Sequence, residues 1–499
     1  MNARVQDFLA DQIARQPDAP AISDSVGTSW TYGDLGHASH EAADMLKQAG
    51  VRAGDRVLML SENCATAVAM LFATWHLGAV IIPVNARQTT AEVKRILDHA
   101  KPAAVVATSD ASEDAVAHAV ALGGVEQSGS YGCVHLATPF QSAPDADLLD
   151  VAVLLYTTGT TGDPKGVMLT HENVRFGGMA SAHLRDMTPR DLIYGVLPIT
   201  HVFGLASVVT ASCYAGAHVR MEARFSAAKL FAALQDGVTL LSAVPQMHAL
   251  LMQYTKEQGL AALGSTYLRY VSSGAAPLDP AWKRKAEAFY GIALQNGYGM
   301  TETTAGVCAT RGPIGTEDIS VGPPLPGVEI AIDDSVPGGG DGAGEVLSRG
   351  AHIMKGYYRN PEETARVLDG DGWLRTGDLG RIDAKTGFLH ILGRSKELII
   401  HGGFNVYPPE VEAALNDHPM VIQSAVIGRM AAGDEEVLAF VQVADMDDVT
   451  AETLRAFVAE RLAGYKRPSR IILGTDLPAA PTGKILKHRL LAAFADQLA

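Results

Sequence analysis

Residues 156–166 read Tyr156-Thr-Thr-Gly-Thr-Thr-Gly-Asp-Pro-Lys-Gly166 and follow the apolar run 151–155. That run predicts a buried strand, so the segment is expected to be a loop leaving the strand's end. Its glycines permit tight turns that expose backbone N–H groups, and four threonine hydroxyls and Lys165 add donors and positive charge. The loop therefore suits a triphosphate. It is not a Walker loop, because Pro164 stands where that motif requires glycine. Taken alone, the same composition also suits a flexible surface loop.

The composition predicts a folded, acidic protein. The chain has 499 residues, of which 47% are hydrophobic and 19% charged, which excludes a mainly disordered chain. Lys and Arg number 40 and Asp and Glu 55, giving a net charge of −15. A chain with this charge repels phosphate backbones, so we expect no nucleic-acid partner. The four cysteines are widely spaced, which predicts neither a disulfide framework nor a zinc site.

The sequence predicts no membrane span and a cytoplasmic location. The first sixteen residues are amphipathic and do not have the pattern of a signal peptide. Residues 65–84 carry no formal charge over the length of a span, but His76, Gly78 and Pro83 interrupt them. We expect a buried helix, a turn and a buried strand there. The last residues, Asp-Gln-Leu-Ala, are not the peroxisomal address.

Alternating helix-like and strand-like segments through the first 300 residues predict an α/β fold with mostly parallel sheets. Glycine and proline become dense near residue 310, and shorter β-rich segments follow. A further α+β pattern of about 100 residues begins near Lys396, which is the size of a small domain. We therefore predict a large domain over residues 1–395, with a β-rich portion at about 310–395, and a small α+β domain over residues 396–499.

Further segments combine small residues with residues that carry charge or hydrogen-bonding groups. Singly, each has an ordinary structural explanation: a core histidine, a strand-to-helix turn, a turn-capping aspartate or a solvated basic face. In chain order they are Pro198-Ile-Thr-His-Val-Phe-Gly204, Ser272-Ser-Gly-Ala-Ala-Pro-Leu278, Asn296-Gly-Tyr-Gly-Met-Thr-Glu302, Gly372-Trp-Leu-Arg-Thr-Gly-Asp378, Gly393-Arg-Ser-Lys396, His401-Gly-Gly-Phe-Asn-Val-Tyr-Pro408 and Pro481-Thr-Gly-Lys484.

Together with the 156–166 loop, these segments resemble the motifs of the adenylate-forming superfamily, in that family's order and over nearly the whole chain. The superfamily includes acyl-CoA synthetases, peptide-synthetase adenylation domains and luciferases. The chain looks like its AMP-forming acyl-CoA synthetase branch. Two positions depart from the pattern: Asn296 stands where relatives often have Gln or Glu, and Ile400 lies near the place where some relatives have Lys.

The resemblance implies an ATP site with Mg²⁺. Lys484 would bridge the substrate carboxylate and the α-phosphate, Thr301 would donate to that phosphate, and Glu302 would bind Mg²⁺, which prefers oxygen ligands beside phosphates. Tyr298 would flank adenine, while Asp378 and Arg394 would hold the ribose. The implied ATP-binding residues are Thr157, Thr158, Gly159, Thr160, Thr161, Lys165, Gly274, Ala275, Ala276, Asn296, Gly297, Tyr298, Gly299, Met300, Thr301, Asp378, Arg394 and Lys484.

The resemblance also implies a CoA channel, a hinge and an acyl pocket. Lys396 would be the hinge about which the small domain rotates between two half-reactions. CoA would pass beside Gly402 and Gly403, with Lys466 binding its phosphates. His201 would gate or line the acyl site and is also counted among the catalytic residues. The residues expected to line the acyl pocket are His201, Phe203, Gly204, Val244, Met247 and Ala305.

These parts imply that a small-molecule carboxylic acid is activated by ATP and transferred to a thiol. The pocket segments are apolar and lack an obvious arginine for a second carboxylate, so we expect a fatty or aryl acid. The chain shows no appended carrier domain, which favours CoA. A stand-alone enzyme loading a carrier protein, a non-catalytic nucleotide-binding protein and a luciferase-like oxygenase are alternatives. The presence together of Lys165, Glu302, Asp378, Arg394 and Lys484 argues against the non-catalytic alternative. The oligomeric state stays open, with a homodimer as one option.

Overall fold

The computed structural model describes residues 3–158, 164–274, 278, 280–337, 339–402, 404–431, 434–447, 449–479 and 485–498. Two eight-stranded sheets form the centre of the large domain. A four-stranded antiparallel sheet follows them, and a smaller α+β unit ends the chain. The predicted α/β class and the β-rich portion are both found.

The first large sheet pairs most of its neighbouring strands in parallel. Near one edge it carries two motif segments at the carboxyl ends of neighbouring strands, Tyr270–Gly274 and Leu294–Tyr298. Ligands of α/β proteins bind at such strand ends. In spatial order the strands are Cys308–Ala309, Leu294–Tyr298, Tyr270–Gly274, Leu240–Ala243, Leu192–Gly195, His218–Met221, Pro20–Asp24 and Ser29–Thr31.

The second large sheet is mixed, because hairpins complete both of its sides. Its parallel centre joins Arg56–Ser61 to strands on either side. These central strands are nearly continuous runs of buried apolar residues, as expected for strands covered on both faces. In spatial order the strands are Gly356–Tyr357, Pro164–Thr170, Val151–Thr158, Val80–Asn85, Arg56–Ser61, Ala104–Thr108, Gly132–Ala137 and Val125–Gly129.

A single apolar core includes residues of both large sheets and the helix Ala65–His76. This helix is buried on all sides, and the indole of Trp75 donates a 2.9 Å hydrogen bond to the Ala152 carbonyl. The chain then turns into the strand Val80–Asn85. The expected helix, turn and strand at 65–84 are therefore confirmed, and among the described residues no helix is long and apolar enough to cross a membrane.

Helices flank the two large sheets. The helix Tyr32–Gln48 begins with a capping box, in which Thr31 and Asp34 satisfy each other's exposed backbone N–H groups. The other helices of this part, short ones included, are Gln6–Arg15, Thr90–Ala100, Glu113–Ala121, Ala146–Leu148, His171–Leu184, Val202–Gly204, Leu205–Thr210, Ala211–Ala215, Ala227–Gln235, Pro245–Glu257, Pro280–Tyr290, Thr301–Thr303 and Pro361–Val367.

The third sheet is antiparallel and consists of Val328–Asp333, Ala343–Gly350, Leu374–Ile382 and Leu389–Arg394. Its last two strands bring Asp378 opposite Arg394. Directly after Arg394 the short turn Ser395–Glu397 leads into the last unit.

The C-terminal unit packs its helices on a three-stranded sheet around separate apolar cores. Its sheet contains Val421–Ala431, Asp434–Val443 and Arg470–Gly474, and a hairpin of Ile399–His401 with Phe404–Val406 precedes it. The helix Pro408–Asn416 begins with proline, which suits the first turn. The remaining helices are Ala451–Ala459, Gly464–Lys466, Lys487–Ala493 and Ala495–Leu498.

Candidate active site

The 156–166 segment begins and ends in paired strands of the second large sheet. Thr157 and Lys165 are cross-strand partners, so the Lys165 side chain extends from a paired strand. The residues Gly159, Thr160 and Thr161 lie outside the described residues, as do the predicted site residues Ala275, Ala276, Gly403 and Lys484. Of Thr158, only the pairing of its backbone with Pro164 is described.

Lys165 forms an ion pair with Glu363, a residue that the sequence analysis did not select. Both side chains are 21% exposed, and the Lys165 ammonium also lies 5.3 Å from the centre of the Tyr357 ring. The bond from Lys165 holds the pKa of Glu363 below its usual range, so Glu363 is a carboxylate at neutral pH. The proposed phosphate-binding lysine therefore has an anionic protein partner.

Glu302 is buried beside this pair. The phenol of Tyr357 donates a 2.9 Å hydrogen bond to Oε1 of Glu302, and burial together with this carboxylate raises the pKa of Tyr357. Thr301, in the same 3₁₀ turn, is also buried. The strand that carries Tyr357 pairs with the strand that carries Lys165. The candidate magnesium ligand and the candidate phosphate ligand are thus joined through one tyrosine.

The two glycine-containing motif segments assigned to adenine lie at the ends of paired strands. Gly274 and Gly297 are direct neighbours in adjacent parallel strands. Tyr298 follows, and its phenol donates a 2.6 Å hydrogen bond to Oδ2 of Asp378. Burial, with Asp378 adding to it, raises the pKa of Tyr298. Nε of Arg394 lies 3.3 Å from Oδ1 of Asp378. The adenine and ribose candidates therefore form one hydrogen-bonded group.

Asn296 has a structural role in addition to its predicted place beside ATP. Its side-chain amide donates to the Ser320 carbonyl at 3.1 Å and accepts from the backbone N–H of Gly297 at 3.0 Å. Its own backbone N–H donates to the Thr310 hydroxyl at 2.7 Å. These bonds tie the end of the strand to residues 310–320, so the side chain is directed into the protein.

The turn after Glu302 is tight and strained. Thr304 and Ala305 have φ values of 48° and 79°, a region that non-glycine residues rarely adopt. A Cβ atom on Gly299 would lie 2.0 Å from the Ala305 carbonyl oxygen, so only glycine fits beside this turn. Met300 donates its backbone N–H to the Thr303 hydroxyl at 2.9 Å. Strain of this kind concentrates at functional sites. The turn places the predicted acyl-pocket residue Ala305 against Gly299 of the ATP motif.

The structure brings the predicted acyl-pocket residue Phe203 against the adenine-side strand. A Cβ atom on Gly274 would lie 3.0 Å from Cε1 of Phe203, so the ring lies on the glycine backbone. His201 caps the turn that carries Phe203, and its Nδ1 accepts the Phe203 backbone N–H at 3.3 Å. This bond places the proton of a neutral His201 on Nε2. Gly204 is buried in the same turn.

Met247, another predicted acyl-pocket residue, lines a cavity of about 240 Å³ together with Pro198 and Thr200. Two arginines that the sequence analysis did not select also line it. Nε of Arg224 lies 3.0 Å and Nε of Arg87 3.2 Å from Oε1 of Glu62, whose side chain is 1% exposed. Val244 is buried just before Met247. Arginines thus border the predicted apolar pocket, and one buried carboxylate offsets their charge.

The predicted CoA residues lie in the C-terminal unit. Gly402 is exposed, has a φ of +59° and donates its N–H to Asp434 at 2.9 Å. Lys466 is paired with Glu410, beside the stacked rings of Phe404 and Tyr465. Lys396 lies in the turn Ser395–Glu397 that joins the third sheet to this unit.

A cluster around Lys487 connects this turn to the last part of the chain. The Lys487 ammonium lies 2.8 Å from Oε2 of Glu397 and 2.9 Å from Oε1 of Glu412. Oε1 of Glu412 also accepts the Val426 backbone N–H at 2.8 Å. The sequence shows Lys487 only as part of a basic stretch, and its partners lie 90 and 75 residues earlier in the chain.

The residues present fit a magnesium ion that arrives with a nucleotide. Mg²⁺ takes one or two carboxylates plus phosphate oxygens and water, and Glu302 beside Thr301 offers that donor set. Within the described part of the chain, no group of three or more His, Cys, Asp or Glu side chains could hold a metal by itself. A site built only of protein ligands is therefore not formed there.

The chain is similar to known proteins over nearly its whole length. Residues 9–358 match the AMP-binding enzyme family and residues 410–484 match its C-terminal domain. The sulfoacetate–CoA ligase of Cupriavidus necator is 31% identical, covering 98% of this chain and 99% of its own. The feruloyl-CoA synthase of an Amycolatopsis species is 33% identical, covering 96% of each chain. The crystal structure of ATP-bound MatB from Rhodopseudomonas palustris is 32% identical, with a TM-score of 0.85 over 100% of both chains.

Proposed function

The chain belongs to the AMP-binding enzyme family of ATP-dependent acid–CoA ligases, and we propose that it activates a carboxylic acid with an apolar fatty or aryl tail as an acyl-adenylate before transfer to CoA. The observation that carries the proposal is that two groups of polar side chains are joined by the short segment 298–302, which begins at the end of the strand Leu294–Tyr298. One contains Tyr298, Asp378 and Arg394; the other contains Lys165 and Glu302. A nucleoside and its phosphates need these two sets of partners side by side.

In the first half-reaction an oxygen of the acid's carboxylate attacks the α-phosphorus of ATP. The bond from that phosphorus to the bridging oxygen breaks, and pyrophosphate leaves. Two anions must approach each other, so the protein has to supply positive charge and fix their geometry. We assign Lys165 to the phosphates that leave, Lys484 to the carboxylate and α-phosphate, and Thr301 to the α-phosphate.

The nucleoside is held by the other group. We assign the adenine to the backbone of Gly274, Gly297 and the flanking small residues, with Tyr298 beside it. The carboxylate of Asp378 can accept hydrogen bonds from two hydroxyl groups, which suits the ribose, and Arg394 lies beside that carboxylate. Mg²⁺ bound with ATP offsets phosphate charge, and Glu302 is the carboxylate that would hold it.

In the second half-reaction the CoA thiol, having given up its proton, attacks the acyl carbon. The bond to the adenylate oxygen breaks, and AMP leaves with one oxygen of the original acid. We place the boundary of the moving domain at Lys396, an assignment supported by the separate family matches at 9–358 and 410–484. A Lys396→Pro variant should lose thioester formation more than adenylate formation. Equal loss of thioester formation and adenylate formation would show that Lys396 is not the hinge.

We propose an apolar acid because Phe203, Val244, Met247 and Ala305 are the side chains expected around its tail. An acid with a second anionic group is the second candidate. It is favoured by the cavity in which Met247 lies beside Arg87 and Arg224. Glu62 pairs with both arginines, which leaves them less available to a ligand and ranks this candidate second.

The test is pyrophosphate release with Mg-ATP across a panel of acids, with and without CoA. The panel runs from acetate through octanoate and palmitate to benzoate, coumarate and malonate. CoA-dependent turnover that peaks on octanoate, palmitate, benzoate or coumarate supports the proposal, and a peak on malonate supports the second candidate. Pyrophosphate release that never leads to a CoA ester would instead indicate a carrier-protein acceptor.

A Lys484→Ala variant separates catalysis from binding in the same assay. It should bind ATP but lose adenylate formation by orders of magnitude. Normal pyrophosphate release by this variant would overturn the assignment of Lys484. ATP binding without turnover on any acid by the unaltered protein would support a non-catalytic role. The cytoplasmic location and the oligomeric state stay predictions.

A further inference from the structure

The ammonium of Lys165 is already engaged by a carboxylate of the protein. Glu363 stands near the start of the short helix Pro361–Val367, 198 residues further along the chain, and its Oε1 is the partner. The two side chains are about four-fifths buried, so solvent screens their attraction less than it would on the surface. The Tyr357 ring covers another side of the ammonium.

Glu363 has a second cationic partner. Nη1 of Arg366 lies 3.2 Å from Oε2 of Glu363, one helical turn further on, and the Arg366 side chain is 76% exposed. Each carboxylate oxygen therefore has its own cation. If Lys165 moves onto another anion, Glu363 keeps a partner and is not left as an unpaired, partly buried charge, which lowers the cost of the exchange.

The phosphates assigned to Lys165 are anions of the same kind as this carboxylate, and more highly charged. The Lys165 ammonium has three N–H donors, but a carboxylate and a phosphate that both contact it repel each other, so a bound phosphate weakens the contact with Glu363. We propose that Glu363 competes with the phosphates of ATP and of pyrophosphate for Lys165, with Arg366 holding Glu363 while the phosphates are bound. The inference rests on the proposed function, because that function assigns Lys165 to the phosphates.

This competition has a consequence for product release. After the α-phosphorus bond breaks, pyrophosphate still lies against Lys165, and return of Glu363 to the ammonium lowers the affinity for that product. Glu363 thus acts on the phosphates through Lys165 and is a positioning residue. Its carboxylate should weaken the binding of ATP and pyrophosphate while speeding the departure of pyrophosphate.

The test uses the whole protein and compares Glu363→Gln with Glu362→Gln. Both variants remove one negative charge from the same helix, but Glu362 is exposed and is the matched control. Titration calorimetry with Mg-ATP, and pyrophosphate product inhibition with the best acid, are the two readouts. We expect Glu363→Gln to bind ATP and pyrophosphate about two- to five-fold more tightly. The control should match the unaltered protein.

An Arg366→Gln variant should change the affinity for ATP and pyrophosphate in the opposite direction. Without Arg366, Glu363 depends on Lys165 alone, so ATP and pyrophosphate should both bind more weakly. Weaker or unchanged binding in Glu363→Gln would overturn the inference, because a carboxylate that only supports Lys165 cannot tighten binding when it is removed.

The Lys165→Met variant tests separately whether Lys165 binds the phosphates. If that variant binds ATP as the unaltered protein does, the assignment of Lys165 fails. If it binds weakly while Glu363→Gln is not tighter, only the competition fails.

Discussion

The phenol of Tyr298 lies 2.6 Å from Oδ2 of Asp378, at the point where the first large sheet meets the third. Eighty residues separate the two side chains in the chain. The bond fixes the orientation of a carboxylate that is 4% exposed and leaves its other oxygen beside Arg394. A ribose that binds here meets an acceptor whose orientation is already fixed.

Replacing Asp378 by Asn should weaken ATP binding. The amide keeps the shape but loses the charge, and a hydrogen bond to a charged group contributes about 1.5–3 kcal/mol, or roughly ten- to a hundred-fold in affinity. Calorimetric titration with Mg-ATP measures the change. Tyr298→Phe is the control, because it removes the phenol and leaves the carboxylate. If the asparagine variant binds ATP normally, Asp378 does not hold the nucleoside.

Gly274 is predicted to be indispensable because of Phe203. An added methyl group would lie 3.0 Å from the Phe203 ring, and overpacking of this kind costs about 1–3 kcal/mol. Gly274→Ala should therefore lower the free energy of unfolding and reduce kcat/KM for the acid. Thermal melts of Gly274→Ala, Phe203→Leu and the double variant check the cause. The double variant should recover part of the loss, and strict additivity would show that Phe203 is not the obstacle.

Lys487 is predicted to hold the C-terminal unit together at the hinge. Lys487→Met leaves Glu397 and Glu412 near each other without their shared cation, and the loss of such a partner from a partly buried cluster should cost about 1–3 kcal/mol. Urea unfolding, monitored with a probe placed in this unit, measures the loss of unfolding free energy. Lys487→Arg keeps the charge and is expected to retain most of the stability. A methionine variant as stable as the unaltered protein would contradict the role of the cluster.

The burial of His248 leads us to predict that the folded protein loses stability in mild acid. This histidine is fully buried, with Nδ1 2.7 Å from the Tyr290 hydroxyl and Nε2 3.2 Å from the Ser272 carbonyl, and burial lowers its pKa from 6.5 to about 4. Between those values the unfolded chain binds a proton that the folded chain does not. The stabilisation is present above about pH 6.5 and is lost as the pH falls towards 4.

The slope of unfolding free energy against pH is the measurement for this prediction. Burial also lowers the pKa values of His76, His171 and His352 to about 4, so the unaltered protein should show a steep slope. His248→Gln cannot titrate and should reduce that slope, whatever its effect on stability at neutral pH. An unchanged slope would show that His248 is protonated equally in both states.

Local patterns in the sequence predicted the α/β class, the β-rich portion and the helix, turn and strand at residues 65–84. These predictions succeeded because an apolar period or a glycine-rich turn is determined by residues only a few positions apart in the chain. The pairing of Asp378 with Arg394 across two antiparallel strands agrees with their common assignment to the ribose.

The partners of the site residues could not be predicted in this way. Glu363 meets Lys165 across 198 residues, and Tyr357 meets Glu302 across 55. Glu363 and Tyr357 lie outside the segments from which the site was predicted, and nothing near them in sequence indicates the contact. The positive φ values of Thr304 and Ala305 likewise depend on the packing around Gly299. Glu62 and Arg87 follow strands of the second large sheet whereas Arg224 follows a strand of the first, so their contact depends on the tertiary fold.

The most direct test of the proposed chemistry follows one oxygen atom. An acid that the enzyme accepts is labelled with ¹⁸O in its carboxylate and allowed to react for a single turnover with Mg-ATP and CoA. The masses of the products are then measured by mass spectrometry. Attack of the carboxylate on the α-phosphorus predicts that AMP carries one labelled oxygen and pyrophosphate none. Label in pyrophosphate or in inorganic phosphate, or AMP without label, would contradict an acyl-adenylate and with it the central claim.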